Sequence, residues 1–160
     1  MNRQTRRASQ FKRSQRYDRN RVEPSAVLKP VIMSRTFDAD EAAKISVDTR
    51  MAWHRLTHGE GTESDFDLVA NTSNIALVRA EALGELAVET VLRAQASILQ
   101  MHDRYRRTRR FGADDQALQT VPEMLDFYDQ ILEHSSPQMM LQALDATVRR
   151  MAVLREGGRV

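Results

Sequence analysis

The sequence predicts an all-α protein: a helical bundle built on one long central helix and preceded by a basic N-terminal arm. Three observations support this prediction. Apolar residues recur at helical spacing over most of residues 38–152. No segment shows the strict alternation of a β-strand. Only six glycines and four prolines interrupt the 160 residues, and the apolar residues are mainly Leu, Val, Ile, Met and Ala, which are compatible with helices.

Charge divides the chain into two parts. Residues 1–35 hold ten Lys/Arg and two acidic residues, a net charge of +8, whereas the other 125 residues hold fourteen Lys/Arg and twenty acidic residues, a net charge of −6. We therefore predict a basic arm and strap over 1–35 and a single α-helical domain over 36–160. A basic segment attached to an acidic body is a recognised sign of polyanion binding.

The arm itself has two predicted sections. Residues 1–24 combine high charge with few apolar side chains, which predicts a disordered segment. The next section, VEPSAVLKPVIM (22–33), carries two prolines that favour extended backbone before each of them. We interpret it as an extended strap that docks four apolar residues on the body: Val27, Leu28, Val31 and Ile32.

The first helix is predicted to begin after Asp38. Asp38 and Glu41 have the spacing of a capping box, in which each side chain satisfies a backbone N–H of the first turn. Gly59 ends the helix, and GEGTES forms a hinge loop. One face of this helix is predicted to face the core: Ala42, Ile45, Thr49, Ala52, Trp53 and Leu56.

The longest helical pattern covers about 65–110. Its stripe contains several small residues, which allow neighbouring helices to approach closely. We predict one long central helix here, with two collinear helices as the alternative, because NTSN (71–74) and Gly84 are plausible break points. The stripe consists of Val69, Ala76, Ala80, Leu83, Ala87, Val91, Ala94, Ile98, Met101 and Tyr105.

Two further helices follow. TVPE (120–123) predicts a helix start, with Thr120 as the cap, Pro122 in the first turn and Glu123 completing the box. SSP (135–137) predicts the next start, and the short connection suggests an antiparallel hairpin. The last helix is predicted to bury Met140, Leu141, Leu144, Val148, Met151 and Ala152.

The basic arm is the first candidate binding segment. Lys and Arg on such a segment can neutralise phosphates and release counterions, and Tyr17 can stack on bases. The alternatives are a solvated or protein-binding tail and a targeting peptide, although the segment lacks the amphipathic stripe of the latter. The predicted nucleic-acid-binding residues are Arg6, Arg7, Lys12, Arg13, Arg16, Tyr17, Arg19 and Arg21.

A second basic cluster, RYRRTRR (104–110), ends the long helical pattern. Arginines in a last helical turn complement the helix dipole, but this explains only one or two of five. The excess predicts an anionic partner, either nucleic acid or an acidic protein surface. The predicted contact residues are Arg104, Arg106, Arg107, Arg109 and Arg110.

Catalytic and metal-binding patterns are weak. His54 and His58 have the spacing of a helical zinc pair, but Arg55 stands where zinc hydrolases need a Glu. The absence of cysteine excludes disulfides, thiolate catalysis and Cys-ligated zinc. NTSN is interpreted as a polar notch between helices. We therefore expect no enzyme activity, no metal and no cofactor. The lack of an apolar run long enough for a membrane span, together with the absence of cysteine, predicts a cytoplasmic protein.

Three stretches resemble a family of small α-helical proteins from Gram-negative bacteria, their phages and their plasmids. They are RYDRNRV with LKP (16–22 and 28–30), NIALVRAE (74–81) and RTRRFGADDQAL (107–118). In the family, a Thr-Gly-Arg-Trp-Gly turn corresponds to residues 108–112, so that Arg109 replaces Gly and Phe111 replaces Trp. Members are often called Fis-type transcriptional regulators. Residues 137–155, however, form an amphipathic helix rather than a basic recognition helix, so the resemblance implies nucleic-acid association through Arg-rich segments.

Two functional hypotheses follow from these patterns. The first is a non-enzymatic, nucleic-acid-associated regulatory protein that contacts phosphates of DNA or RNA with little sequence specificity. The second is a protein–protein interaction module, such as a phage- or plasmid-encoded adapter, an inhibitor of a host protein or a small structural subunit. In the second hypothesis the arm binds an acidic protein, and an apolar helical stripe supports homo-oligomer formation.

Overall fold

The structure, a computed structural model, describes residues 35–157, with side chains described up to residue 154. The described residues from Thr36 onward belong to one compact unit. The described part contains the helices α1 (Ala39–Thr57), α2 (Glu63–Ala80), α3 (Glu85–Thr108), α4 (Asp115–Glu133) and α5 (Pro137–Gly157). Because these residues form no strand, the predicted all-α class is confirmed. The predicted arm and strap lie outside the described residues, apart from Arg35.

Helices α1 to α4 run alternately up and down. Side-chain contacts between α2 and α3 pair Glu63 with Tyr105 and Asn74 with Gln95, so positions descend α3 as they ascend α2. The same opposed order joins α1 to α2 and α3 to α4. Since α4 also packs against α1, the four helices close into an antiparallel bundle.

Helix α2 lies at the centre of the packing. It contacts each of the other four helices, and no residue from Thr72 to Ala80 is exposed. Several small residues on this helix, including Ala76 and Ala80, are completely buried. Small side chains let helix axes approach closely, so α2 can touch α4 across the bundle as well as its neighbours.

The start of α1 agrees with the sequence prediction. Asp38 accepts a hydrogen bond from the backbone N–H of Glu41 at 2.8 Å, and Glu41 accepts one from the N–H of Asp38 at 3.1 Å. The capping box is therefore confirmed. The predicted inner face is buried except at Ile45, which is 37% exposed.

The long helix predicted over 65–110 is two helices in the structure. The chain turns at residues 81–84, and Gly84 has a φ of 119°, a conformation that favours glycine. The halves are also not collinear, because α3 folds back along α2. This antiparallel return brings both halves of the apolar stripe to the same core, where Val69, Ala76, Val91 and Ile98 are buried. Leu83, which was predicted to belong to the stripe, lies in the turn and is 60% exposed.

Helix α4 begins earlier than predicted. Its N-cap is Asp114, whose side chain accepts from the N–H of Ala117 at 2.8 Å. The predicted cap, Thr120, is instead buried within the helix, and its hydroxyl lies 2.9 Å from that of Ser97 on α3. Pro122 is consequently inside the helix. The carboxylate of Asp114 caps the helix six residues before Thr120, which explains why α4 starts earlier than predicted.

Helix α5 starts at Pro137 as predicted, but its packing differs from the prediction. It packs mainly on α2 rather than forming a hairpin with α4. Its buried residues are Ala143 and Thr147. Because both are small, α5 can lie close to α2. Of the six residues predicted to face inward, Met140 is partly buried against the core and Ala152 is exposed. The other four lie on the neighbouring stripe and are 39–60% exposed: Leu141, Leu144, Val148 and Met151.

The turn between α1 and α2 is tightly built. Thr62 and Asp65 form a capping box, and Arg55 on α1 donates from Nε to Asp65 Oδ1 at 2.9 Å. This guanidinium, together with hydrogen bonds from Thr62, holds the pKa of Asp65 well below its usual range. Within the same turn, a Cβ on Gly61 would lie 2.7 Å from the Cα of Leu56. The turn therefore depends on the charge of Asp65 and on the absence of a side chain at Gly61.

No helix within residues 35–157 combines the length and apolar character that are needed to cross a lipid bilayer.

Gly61→Ala is expected to lower the free energy of unfolding by about 1–3 kcal/mol, because the new methyl group must push the backbone of Leu56 away. Urea denaturation followed by circular dichroism measures the change. Gly112→Ala is the matched control, since a Cβ at Gly112 meets no atom within 4 Å. Equal stability of the two variants would contradict the close approach.

Asp65→Asn is expected to lower the free energy of unfolding by about 1.5–3 kcal/mol near neutral pH, because it removes charge-assisted hydrogen bonds. The pKa of Asp65 is lowered by folding, so its stabilising effect is complete above the unfolded value of about 3.9. The effect is lost as the pH falls through the folded value. Urea titrations over a pH series should therefore show that the difference in stability from wild type closes only in acid. Asp67→Asn, at an exposed position, is the control and should show the smaller difference at neutral pH.

Candidate nucleic-acid interface

The five arginines of 104–110 lie at one end of the bundle, where α3 ends. Because the helices alternate in direction, the same end holds the last turn of α1, the first turn of α2 and the start of α4. It therefore also carries the exposed His54 and His58. Basic residues that are about fifty positions apart in the sequence are brought to one end by the fold.

Helix α3 ends in a compact turn. Arg109 adopts the left-handed conformation, with a φ of 57°, and its N–H donates to the carbonyl oxygen of Tyr105 at 2.7 Å. The hydroxyl of Thr108 accepts from the N–H of Arg110 at 3.3 Å. Glycine is the usual residue in this conformation, so the arginine is held there against its backbone preference.

An aromatic stack supports this turn. The rings of Tyr105 and Phe111 are nearly parallel, with centroids 4.1 Å apart. Phe66 on α2 stacks on Phe111 at 5.5 Å and on His102 at 5.2 Å. Phe111 is buried. The stack fixes the end of α3 and the following loop against the start of α2.

A hydrogen bond adds to this connection between α2 and α3. The hydroxyl of Tyr105 donates to the carboxylate of Glu63 at 2.6 Å. Glu63 accordingly raises the pKa of Tyr105, since ionisation would place two negative charges side by side. The phenol donates its proton to the carboxylate of Glu63, and this hydrogen bond joins the end of α3 to the start of α2.

The five arginines are not equivalent. Arg104 forms an ion pair with Asp114 at 2.8 Å, and the guanidinium of Arg109 lies 5.9 Å from the ring centroid of Tyr105. Arg106, Arg107 and Arg110 are exposed. Among the side chains of residues 35–154, no carboxylate is within ion-pair distance of these three. They are the side chains that are free to bind an external anion.

The ion pair of Arg104 has a structural role. The N–H of Ala117 and the guanidinium of Arg104 lower the pKa of Asp114, so its carboxylate stays charged and caps α4. Arg104 thereby joins the end of α3 to the start of α4. The sequence grouped Arg104 with the other four arginines as a contact residue, and the fold uses it within the domain.

The other predicted sites are distributed as follows. The predicted contact residues of the arm, from Arg6 to Arg21, lie outside the described residues. His54 and His58 stack with ring centroids 3.9 Å apart, and Nδ1 of His58 lies 2.8 Å from the carbonyl oxygen of His54. In the described part, no three His, Cys, Asp or Glu residues come together in a group able to hold a metal ion.

NTSN (71–74) is a polar notch between helices, as predicted. The hydroxyl of Thr72 lies 3.4 Å from that of Thr49 on α1. Asn74 accepts from the side-chain amide of Gln95 on α3 at 3.0 Å. These contacts satisfy polar groups inside the bundle, as buried polar groups require.

Sequence reasoning missed the support of the arginine cluster. The contribution of Phe66 and Glu63, about forty residues before Tyr105, depends on the return of α3 along α2. The signal within the sequence was the pair of aromatic residues at 105 and 111, which flank four of the five arginines.

Comparisons of the chain with protein-family models, curated proteins and solved structures found no match.

Arg109→Gly is expected to raise the free energy of unfolding by about 0.5–1 kcal/mol, because glycine adopts the left-handed conformation without strain. Arg106→Gly removes the same charge within helix α3 and should lower it by about as much. Urea denaturation measures whether each variant is more or less stable than the wild type. A loss of stability in both would contradict the strained turn at Arg109.

Proposed function

We propose that this protein is a non-enzymatic, nucleic-acid-associated regulatory protein that contacts phosphates with its arginine-rich segments. The observation that supports this proposal most strongly is the end of α3, where Arg106, Arg107 and Arg110 are exposed and no carboxylate of the described residues neutralises them. An arginine guanidinium binds phosphate oxygens with two parallel hydrogen bonds. The basic arm, from Arg6 to Arg21, supplies further contacts in this proposal.

The rigid support of the cluster favours binding over a purely electrostatic role. Unpaired arginines that are close together repel one another, and a helix end needs only one or two cations. The stacked Tyr105 and Phe111 nevertheless hold the last turn of α3 and the following loop, which carry the cluster, in one position. Fixed cations lose less conformational entropy when they bind a phosphate backbone than cations on a mobile loop.

We expect low sequence specificity. Direct reading of bases requires an element that enters a groove and presents side chains to base edges. The unpaired arginines sit at a helix end and in the following loop, which suits contacts to the backbone. The family resemblance, in which residues 108–112 correspond to a Thr-Gly-Arg-Trp-Gly turn, also favours the proposal, because it implies nucleic-acid association through Arg-rich segments.

The second candidate function, a protein–protein interaction module, is favoured by a different observation. Helix α5 exposes large apolar residues, with Val148 at 60% and Leu154 at 70%. In this alternative, the same arginines bind an acidic protein surface. Adapter, inhibitor and structural-subunit roles all belong to this class.

The first test measures binding of the nuclease-treated full chain to a mixed-sequence DNA duplex, its single strand and an RNA duplex by fluorescence anisotropy. With six to ten phosphate contacts, affinity should fall by about 10³–10⁵ between roughly 50 and 200 mM salt. Replacing Arg106, Arg107 and Arg110 by Gln should reduce the slope of log K against log salt by about three units on the duplex, since each lost phosphate contact contributes about 0.9.

The controls separate the cluster from the arm and from general charge. Lys44→Gln removes an exposed cation from α1 and should change the slope much less than the triple variant. Deletion of 1–21 tests the whole arm, and deletion of 1–15 leaves RYDR (16–19) in place. Absence of binding to all three nucleic acids at low salt would reject the proposal, and capture of one acidic protein in nuclease-treated lysate would then favour the second function.

A further inference from the structure

The aromatic rings beside the arginine cluster already have partners within the protein. The rings of His102, Phe66, Phe111 and Tyr105 form three successive stacked pairs, with centroids 5.2, 5.5 and 4.1 Å apart. At the end of this series, the guanidinium of Arg109 lies over the ring of Tyr105, 5.9 Å from its centroid. The series therefore supports the end of α3 and presents no ring that is without a contact.

No Phe, Tyr or Trp side chain is exposed among residues 35–154. At the arginine end, Phe66 and Tyr105 are partly buried and Phe111 is buried. Proteins that bind single strands present aromatic side chains on which successive bases stack, and each stacked base raises the affinity roughly five- to 150-fold. The surface around the arginine cluster lacks this contribution.

The exposed rings at this end of the bundle belong to two histidines. His54 and His58 stack on each other with centroids 3.9 Å apart, and Nδ1 of His58 lies 2.8 Å from the carbonyl oxygen of His54. Each ring therefore has one face covered by the other. Because histidine can also stack on bases, both residues are included in the test below.

The basic surface at the end of α3 is short. Asp103 is exposed and lies one helical turn before Arg106 and Arg107, so it shares their face of the helix and bounds the arginines along α3. Asp115, in the first turn of α4, is exposed as well. Single strands are bound along a basic groove that follows the backbone over about 4–16 nucleotides. The unpaired arginines instead form a compact patch within residues 106–110.

A duplex suits a compact patch of this kind for two physical reasons. It carries one negative charge per about 1.7 Å of its axis, against about 3.4 Å for each strand, so the same patch meets more phosphates. Its backbone is also already ordered, whereas a single strand loses conformational entropy when it binds to cations in fixed positions. Without stacked bases, nothing on this surface offsets that loss.

We propose that the arginine cluster at the end of α3 is a site for double-stranded nucleic acid, which it binds through the phosphate backbone in preference to single strands. The inference rests on the proposed function, because it names the class of nucleic acid that this site takes. Tyr17, which was predicted to stack on bases, lies outside the described residues. Binding of single strands by the full chain is accordingly assigned to the arm.

Fluorescence anisotropy of the nuclease-treated full chain with a DNA duplex, its single strand and an RNA duplex, all at one low salt concentration, tests the proposal. Replacing Arg106, Arg107 and Arg110 together by Gln should raise the Kd for both duplexes at least about tenfold more than the Kd for the single strand. Replacing His54 and His58 together by Gln should leave the single-strand Kd unchanged. Lys44→Gln, at an exposed position on α1, is the charge control and should change neither value.

The outcomes separate this inference from the proposed function. Equal rises of the duplex and single-strand Kd in the triple variant, no change of either, or weaker single-strand binding by the histidine variant would each overturn the inference while nucleic-acid binding stands. Absence of binding to all three nucleic acids by the wild type would instead reject the proposed function itself. Circular dichroism of each variant checks that the helices remain folded.

Discussion

The burial of the second half of α2, residues 72–80, is the constraint on which the rest of the fold depends. Between Thr72 and Ala80 no residue is exposed, and all four other described helices touch this one. Its small residues set how closely those helices approach, and its polar residues need partners inside the bundle. Thr72 finds one on α1, and Asn74 finds one on α3. A larger side chain at Ala76 would press on several helices at once, since close-packed cores absorb little extra volume.

The position of α2 also determines what the ends of the bundle can do. The start of α2 supplies Phe66 and Glu63, which hold Tyr105 and the loop after α3. The end of α3 and the loop after it are thus fixed from two helices, and they carry Arg106, Arg107 and Arg110 as exposed cations. Arg104 and Asp114 neutralise each other while joining α3 to α4. The proposed phosphate-binding surface therefore follows from how this end of the bundle is closed. Arg104 is used in an ion pair within the domain, whereas Arg106, Arg107 and Arg110 are not.

The fifth helix changes the surface more than the core. Among the described residues of α5, only Ala143 and Thr147 are buried. Helix α5 therefore packs on α2 while most of its larger side chains stay exposed. The Glu81–Arg150 pair then holds its end beside α3. The apolar residues that α5 leaves exposed, such as Val148 and Leu154, are separate from the arginine cluster at the end of α3.

Much of the local structure is encoded in short stretches of the sequence. The Asp38–Glu41 box, the glycine at the end of α1 and the helical period each act within a few residues, so they identify the helices and most buried positions. The stripe from Val69 to Met101 could not show its own break, because a helix that folds back keeps the same face toward the core. The burial of α5 on Ala143 and Thr147, the roles of Arg104 and Arg109, and the support from Phe66 were decided by tertiary structure, since each depends on residues from another helix or on a turn that positions them.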